Sequence, residues 1–395
     1  MSSVNDDTNG AAPLDQQEEL DDLQLPADWY FGATLWSTDW TVETIISQLR
    51  RQNINLSPKF QRRNAWRQIR QSRFIESLIL GLPVPQIILA EDRSRRGSFI
   101  VIDGKQRLLS LRQFAADESD PEYTPLKLSG LNDRTDLNGL TYNDLKADPK
   151  FRDDCNSFEN QTVRTIVIRN WKDDRYLHSV FLRINTGSVQ LSTQELRQAL
   201  HPGPFSDFID DLSVKTKELQ EVLKLKEPDF RMRDVELVLR YYAYLYFADK
   251  YKGNLKEFLD DTVQAFNGEW NNKEKSLVDA GDVFRESLLA VRKVFGEKAQ
   301  LRKYNPREKA YERRINRAVF DIMMYYIKDG AVRDAFLKRG KAVKAAFEKL
   351  CENDREFASA LEATTKSVEA NKARFSIWAD ALSVALKTKI TSPMK

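Results

Sequence analysis

Residues 99–114, FIVIDGKQRLLSLRQF, set a carboxylate, a glycine and two cations where an apolar strand pattern gives way to a helical one. A helix amino terminus presents N–H groups without intrahelical partners and a partial positive charge, so it attracts anions. Gly104 has no Cβ, which lets a phosphate approach the backbone or lets the chain take a positive φ. Lys105 and Arg107 add charge, and a guanidinium grips two phosphate oxygens at once. Asp103 repels a bare phosphate but suits one that arrives with Mg²⁺, an ion commonly held by one or two carboxylates plus substrate phosphates. The plainer alternative makes Asp103 a helix cap and leaves both cations solvated.

Two further stretches carry side chains of the same use. SPKFQRRNAWRQIRQSRFIESLILGLPVPQIIL (57–89) puts Gln61, Arg62 and Trp66 on a loop before a helix. FLRINTGSVQLSTQEL (181–196) puts Asn185, Thr186 and Gly187 on a turn after one. Gln and Asn side chains orient a water or grip a nucleotide edge, and Arg62 is suited to a second phosphate. Each has a bland counterpart: Trp66 as core, and Asn185 with Gly187 as a helix C-cap.

Stepping along the chain gives the elements that must hold these groups. TVETIISQLRR (41–51) has helical spacing with Thr41 as cap. INL (54–56) reads as a short strand, 67–82 as an amphipathic helix ending at Gly81, and QIILAE (86–91) and SFIVI (98–102) as strands joined by DRSRRG in a hairpin. QTVRTIVIRN (161–170) is a further strand and 172–185 a further helix, while Ser192 with Glu195 three residues on forms a capping box. From about 205 strand signals vanish and long helical patterns take over. The fold class expected is therefore α+β, a small mixed-sheet domain followed by an all-α one. Residues 1–26 read as a disordered acidic tail, 27–204 as the ligand-binding domain and 205–395 as the helical domain. The aromatic run Tyr241, Tyr242, Tyr244, Tyr246 and Phe247 suits either a core or a homo-oligomer interface.

The net charge of +3 conceals a strong asymmetry. Residues 1–49 hold ten acidic residues and no Lys or Arg, whereas 50–112 hold fourteen Lys or Arg against four acidic residues. Such a basic block suits phosphate or nucleic acid, or else is a solvated face. Arg93, Arg95 and Arg96 on the hairpin loop are the candidate DNA contacts. No apolar run approaches the roughly 20 residues of a membrane span and no secretory leader opens the sequence, so a cytoplasmic location and no membrane partner are expected. Cys155 and Cys351 are too few for a disulfide framework and read as small buried apolar residues.

Taken in order, FQRRNAW (60–66), ESLILGLPVPQIIL (76–89), VIDGKQRLLSL (101–111) and FLRINTGSVQLSTQEL (181–196) resemble the family with an Asp-Gly-Gln-Gln-Arg signature that forms the amino-terminal part of GmrSD-type, modification-dependent restriction enzymes. RMRDVELVLRYYA (231–243) and NLKEFLDD (254–261) look like that family's helical part, so the resemblance spans about 35–265. It implies a ParB/sulfiredoxin-like nucleotide-binding fold, and binding and hydrolysis of a nucleoside triphosphate with Mg²⁺ in anti-phage defence, acting on or with DNA. It also implies Asp103, Gln106 and Arg107 as the catalytic signature, Gln61 and Arg62 as assistants, and Asn185 in the pocket wall. One position departs, since Lys105 stands where the family usually has its first Gln. A Lys suits a phosphate, but without that Gln a binding module that does not hydrolyse is the alternative. Many relatives carry or pair with a His-Asn-His nuclease. With only His178, inside a helical pattern, and His201, before a proline, no such nuclease is expected within this chain, and cutting falls to a partner subunit.

Overall fold

A computed structural model describes residues 33–54, 56, 66–184, 192–362 and 367–394, without the side chains of 175, 178 and 182. The chain divides into two units, one ending at Leu200 and the other running from His201 to Lys395.

The first unit is built from β1 (Thr34–Thr41), α1 (Val42–Arg50), α2 (Gln68–Ile79), β2 (Ile87–Glu91), β3 (Phe99–Asp103), α3 (Lys105–Phe114), α4 (Tyr142–Ala147), α5 (Arg152–Asn160), β4 (Thr162–Arg169), α6 (Asp174–Ile184) and α7 (Thr193–Leu200). The strands form one mixed sheet in the order β1-β4-β2-β3. β1 pairs antiparallel with β4, β4 parallel with β2, and β2 antiparallel with β3. β2 reads IILA because both faces of a central strand are buried. Ile87 and Leu89 point into a core shared with α1, α2, α3 and α5, while Ile88 and Ala90 point into a second core with Tyr176, Leu177 and Phe181 of α6 and Leu196 of α7. β4 alternates likewise, Val163 and Val167 on the first face and Ile166 and Ile168 on the second.

Local chemistry sets the element ends. Thr41 caps α1, its Oγ1 accepting from Thr44 N–H at 3.1 Å. Gly81, at φ +68°, follows the last turn of α2. The Ser192–Glu195 capping box opens α7: Ser192 Oγ accepts from Glu195 N–H at 3.0 Å and Glu195 Oε2 from Ser192 N–H at 2.8 Å. INL forms no strand among its described residues. Ile54 makes a single parallel bridge to Phe99, just after Gln52 at φ +55°.

The second unit is mostly helical: α8 (Pro204–Lys215), α9 (Lys217–Leu223), α10 (Arg233–Phe247), α11 (Leu255–Gly268), α12 (Trp270–Phe295), α13 (Arg317–Tyr326), α14 (Gly330–Lys338), α15 (Gly340–Asn353), α16 (Arg355–Glu362) and α17 (Val368–Leu386). It departs from the all-helical expectation in one ribbon, β5 (Tyr304–Asn305) paired with β6 (Ala310–Tyr311). Asn305 makes the turn locally, its Oδ1 accepting from Arg307 N–H at 3.0 Å. Tyr241, Tyr242 and Tyr244 are buried within α10, so that part of the aromatic run is core. Cys155 and Cys351 are free and buried. Among the described residues no helix is long and apolar enough to cross a membrane.

Candidate functional site

The corner between β3 and α3 is made by Gly104, which takes φ +97° and ψ +11°. Two constraints require glycine here. The left-handed backbone disfavours any side chain, and a Cβ would meet Ile87 Cγ1 at 3.1 Å and Arg107 Nη2 at 3.3 Å. No side chain caps the helix that follows. Its first intrahelical hydrogen bond runs from Leu108 N–H to Gly104 O, so the N–H groups of Gln106 and Arg107 lie ahead of the helical ladder.

Asp103 ends β3 opposite Ile88, where the ladder is interrupted between Ile88 and Leu89. Its Oδ2 accepts from Arg107 Nη2 at 2.8 Å, an ion pair across one helical turn. The same Nη2 donates to Gln86 O at 2.9 Å, so Arg107 clasps the start of β2 as well as the end of β3. Arg107 is buried, and its Nε has no hydrogen-bond partner among the described residues. Gln106 Oε1 accepts from Trp66 N–H at 3.2 Å, which ties the end of the 61–66 stretch to the corner. Trp66 packs edge-on against Phe74 on the first core, with Arg70 over its ring. It stands as a partly buried core residue.

Lys105 turns away from the helix axis. Its Nζ donates to Glu195 Oε1 at 2.5 Å, and both side chains are buried. Glu195 thus serves twice, closing the capping box with one oxygen and neutralising Lys105 with the other. The second duty had no sequence signal beyond the capping box itself, because nothing in the spacing pairs positions ninety residues apart. α6 and α7, which flank 185–191, both pack against β3.

Of the residues singled out from sequence, Asp103, Gly104, Lys105, Gln106 and Arg107 thus meet at one corner. Gln61, Arg62 and Asn185 lie outside the described residues, as does the side chain of His178. Arg93 stands apart from the corner: it lies 4.2 Å over the Trp171 ring, donates to Lys172 O at 2.5 Å and pairs with Asp174. Arg95 and Arg96 are exposed on the hairpin loop. Glu76, a further carboxylate with no sequence signal of its own, is buried on α2 and accepts from the backbone N–H groups of Asp133 and Arg134 at 3.0 and 2.8 Å. That carboxylate fixes the loop after α3, an anchoring role that an acidic residue in a helix does not advertise.

Among the described residues no cluster of three or more His, Cys, Asp or Glu side chains is placed to hold a metal ion. A lone carboxylate is nonetheless the usual protein share of a Mg²⁺–phosphate complex. Asp103 is half-buried and pairs with Arg107 through Oδ2, and it is the carboxylate at this corner that could hold such an ion.

The first unit is an α+β domain with a mixed four-stranded sheet and a glycine-turned strand-to-helix corner. Residues 42–202 match the family described as GmrSD restriction endonuclease, N-terminal domain. The match takes in most of the first unit and under half of the chain, and is a likeness to that family's amino-terminal domain. The helices beyond 202 lie outside the match. No curated protein and no solved structure matches the chain.

Proposed function

We propose that the β3–α3 corner binds a Mg²⁺-bound nucleoside triphosphate and hydrolyses it, and that turnover gates a partner nuclease acting on DNA. The observation that carries this reading is an uncapped helix amino terminus opened by a positive-φ glycine, with a buried Arg107 beside it. Phosphoryl transfer asks mainly for positioning and charge stabilisation. The N–H groups of Gln106 and Arg107 in the first turn are suited to a phosphate, and Arg107 contributes charge from a position fixed by Asp103 and Gln86. Asp103 would hold a Mg²⁺ that arrives with the phosphates, and the ion would supply charge neutralisation there. Asp103 also pairs with Arg107. Gln106, held by the Trp66 backbone, is the amide available to orient a water.

Release of phosphate from ATP, GTP or CTP by the purified protein tests the reading. Release from wild type with at least tenfold less from Arg107→Ala supports it, and no difference between the two removes hydrolysis.

One observation favours a second reading, in which the corner binds a nucleotide without turning it over. Lys105 replaces the family's Gln, and its charge is already matched by Glu195. Nucleotide binding measured by calorimetry together with absent phosphate release selects this alternative.

A further inference from the structure

The helical unit contains a charge cluster independent of the corner. Glu236 and Arg240 stand one turn apart on α10, and Arg317 and Asp321 one turn apart on α13. Arg240 donates Nε to Asp321 Oδ1 at 3.0 Å and Nη2 to Asp321 Oδ2 at 2.5 Å. Arg317 Nη2 donates to Glu236 Oε2 at 2.8 Å, and Arg240 Nη1 lies 3.9 Å from Glu236 Oε1. Two cations and two anions thereby close a buried, neutral square.

Arg374 of α17 enters this square as an additional charge. Its side chain is fully buried. Asp321 Oδ2, already engaged by Arg240, lies 3.6 Å from Arg374 Nη2. The same Nη2 donates to Asn371 Oδ1 at 2.5 Å and meets the Tyr244 hydroxyl at 3.4 Å, both neutral groups. Nε and Nη1 of Arg374 have no hydrogen-bond partner among the described residues. The buried hydroxyl of Tyr251 also has none, and its ring stands 6.1 Å from that of Tyr244.

An uncompensated charge inside a protein is strongly unfavourable, and a lysine would escape by losing its proton. A guanidinium cannot, because it stays protonated in proteins. A buried water satisfies the two donors but leaves the charge in place. Among the described residues three cations, Arg240, Arg317 and Arg374, share two anions, Glu236 and Asp321, and the remaining remedy is a counter-ion, small to be enclosed and monovalent to match that excess. We propose that Arg374, through Nε and Nη1, holds a small monovalent inorganic anion of the halide class within the helical unit. Such an ion binds only the folded chain and therefore stabilises it by mass action.

Thermal melting of the full chain tests this at constant ionic strength, with sodium chloride exchanged for sodium gluconate, an anion too large to be enclosed. Wild type is expected to melt about 2 °C or more higher in chloride, saturating with concentration. Arg374→Met, which keeps length and drops the charge, is expected to lose that difference. Bromide-soaked crystals of wild type decide the matter independently of how that variant folds. An anomalous peak within hydrogen-bond distance of Arg374 Nε or Nη1 supports the site. A map with only water there, or with nothing, overturns it whatever the melting curves show.

Discussion

At the scale of single residues, the corner depends on a glycine and on a guanidinium held by its own fold. Gly104→Ala forces a Cβ into the left-handed region and against Ile87, so a loss of about 1–2 kcal/mol in denaturant-monitored stability is expected. A variant as stable as wild type would show that the turn relaxes without consequence. A second residue-scale test concerns Asp120. Burial pushes its carboxyl up, but hydrogen bonds from Arg112 and from the N–H groups of Glu122 and Tyr123 outweigh that and hold it below its ordinary 3.8. A group lowered in the folded state contributes stability above its unfolded pKa and loses it as pH falls through the folded value. Asp120→Asn is therefore expected to melt below wild type at pH 7, with the gap closing below about pH 4. A gap that stays constant from pH 7 to pH 3 would mean that lost packing, and not the carboxylate charge, accounts for it.

At the scale of elements, Lys105 and Glu195 staple the start of α3 to the start of α7. Removing one partner of a buried pair leaves a charge uncompensated, typically a loss of about 3–5 kcal/mol. Lys105→Gln is thus expected to destabilise the domain by that order. Adding Glu195→Gln is expected to recover most of the loss, since a neutral amide still reaches Ser192 N–H. Urea denaturation of the single and double variants checks this, and additive losses would break the link between the helices. The pair also explains how much of the site was legible beforehand. Asp103, Gly104 and Arg107 declare themselves within a stretch of five residues, and the capping box at Ser192 and Glu195 follows from a spacing of three. The strands β2, β3 and β4 are apolar runs bounded by turns, and α1 and α2 have helical periodicity. β1 escaped notice because TLWSTDWT is an exposed edge strand whose hydrogen bonds to β4, and not its apolar pattern, define it. Long-range duties such as Lys105 to Glu195 or Glu76 to the 133–134 backbone come from tertiary packing and leave no local trace.

At the scale of the molecule, the basic block of residues 50–112 is not one surface with one purpose. Among its described residues Lys105, Arg107 and Arg112 are paired in buried or half-buried positions with Glu195, Asp103 and Asp120, and Arg93 pairs at the surface with Asp174 and lies over the face of Trp171. The hairpin loop therefore divides, with Arg93 bracing it against the turn after β4 while Arg95 and Arg96 remain exposed. If duplex DNA is met by this loop, those two arginines release counter-ions on binding, and each contact adds about 0.9 to the slope of log affinity against log salt. The double variant Arg95→Ala/Arg96→Ala is expected to lower that slope by about 1.8 while leaving the melting temperature unchanged. Arg93→Ala is expected to do the reverse, lowering the melting temperature with little change in slope, because its guanidinium already faces Trp171 and Asp174. Fluorescence anisotropy of a labelled duplex from low to high salt, beside melting curves of the same preparations, separates the two effects. An unchanged slope in the double variant would move any DNA contact off the hairpin and onto another part of the surface.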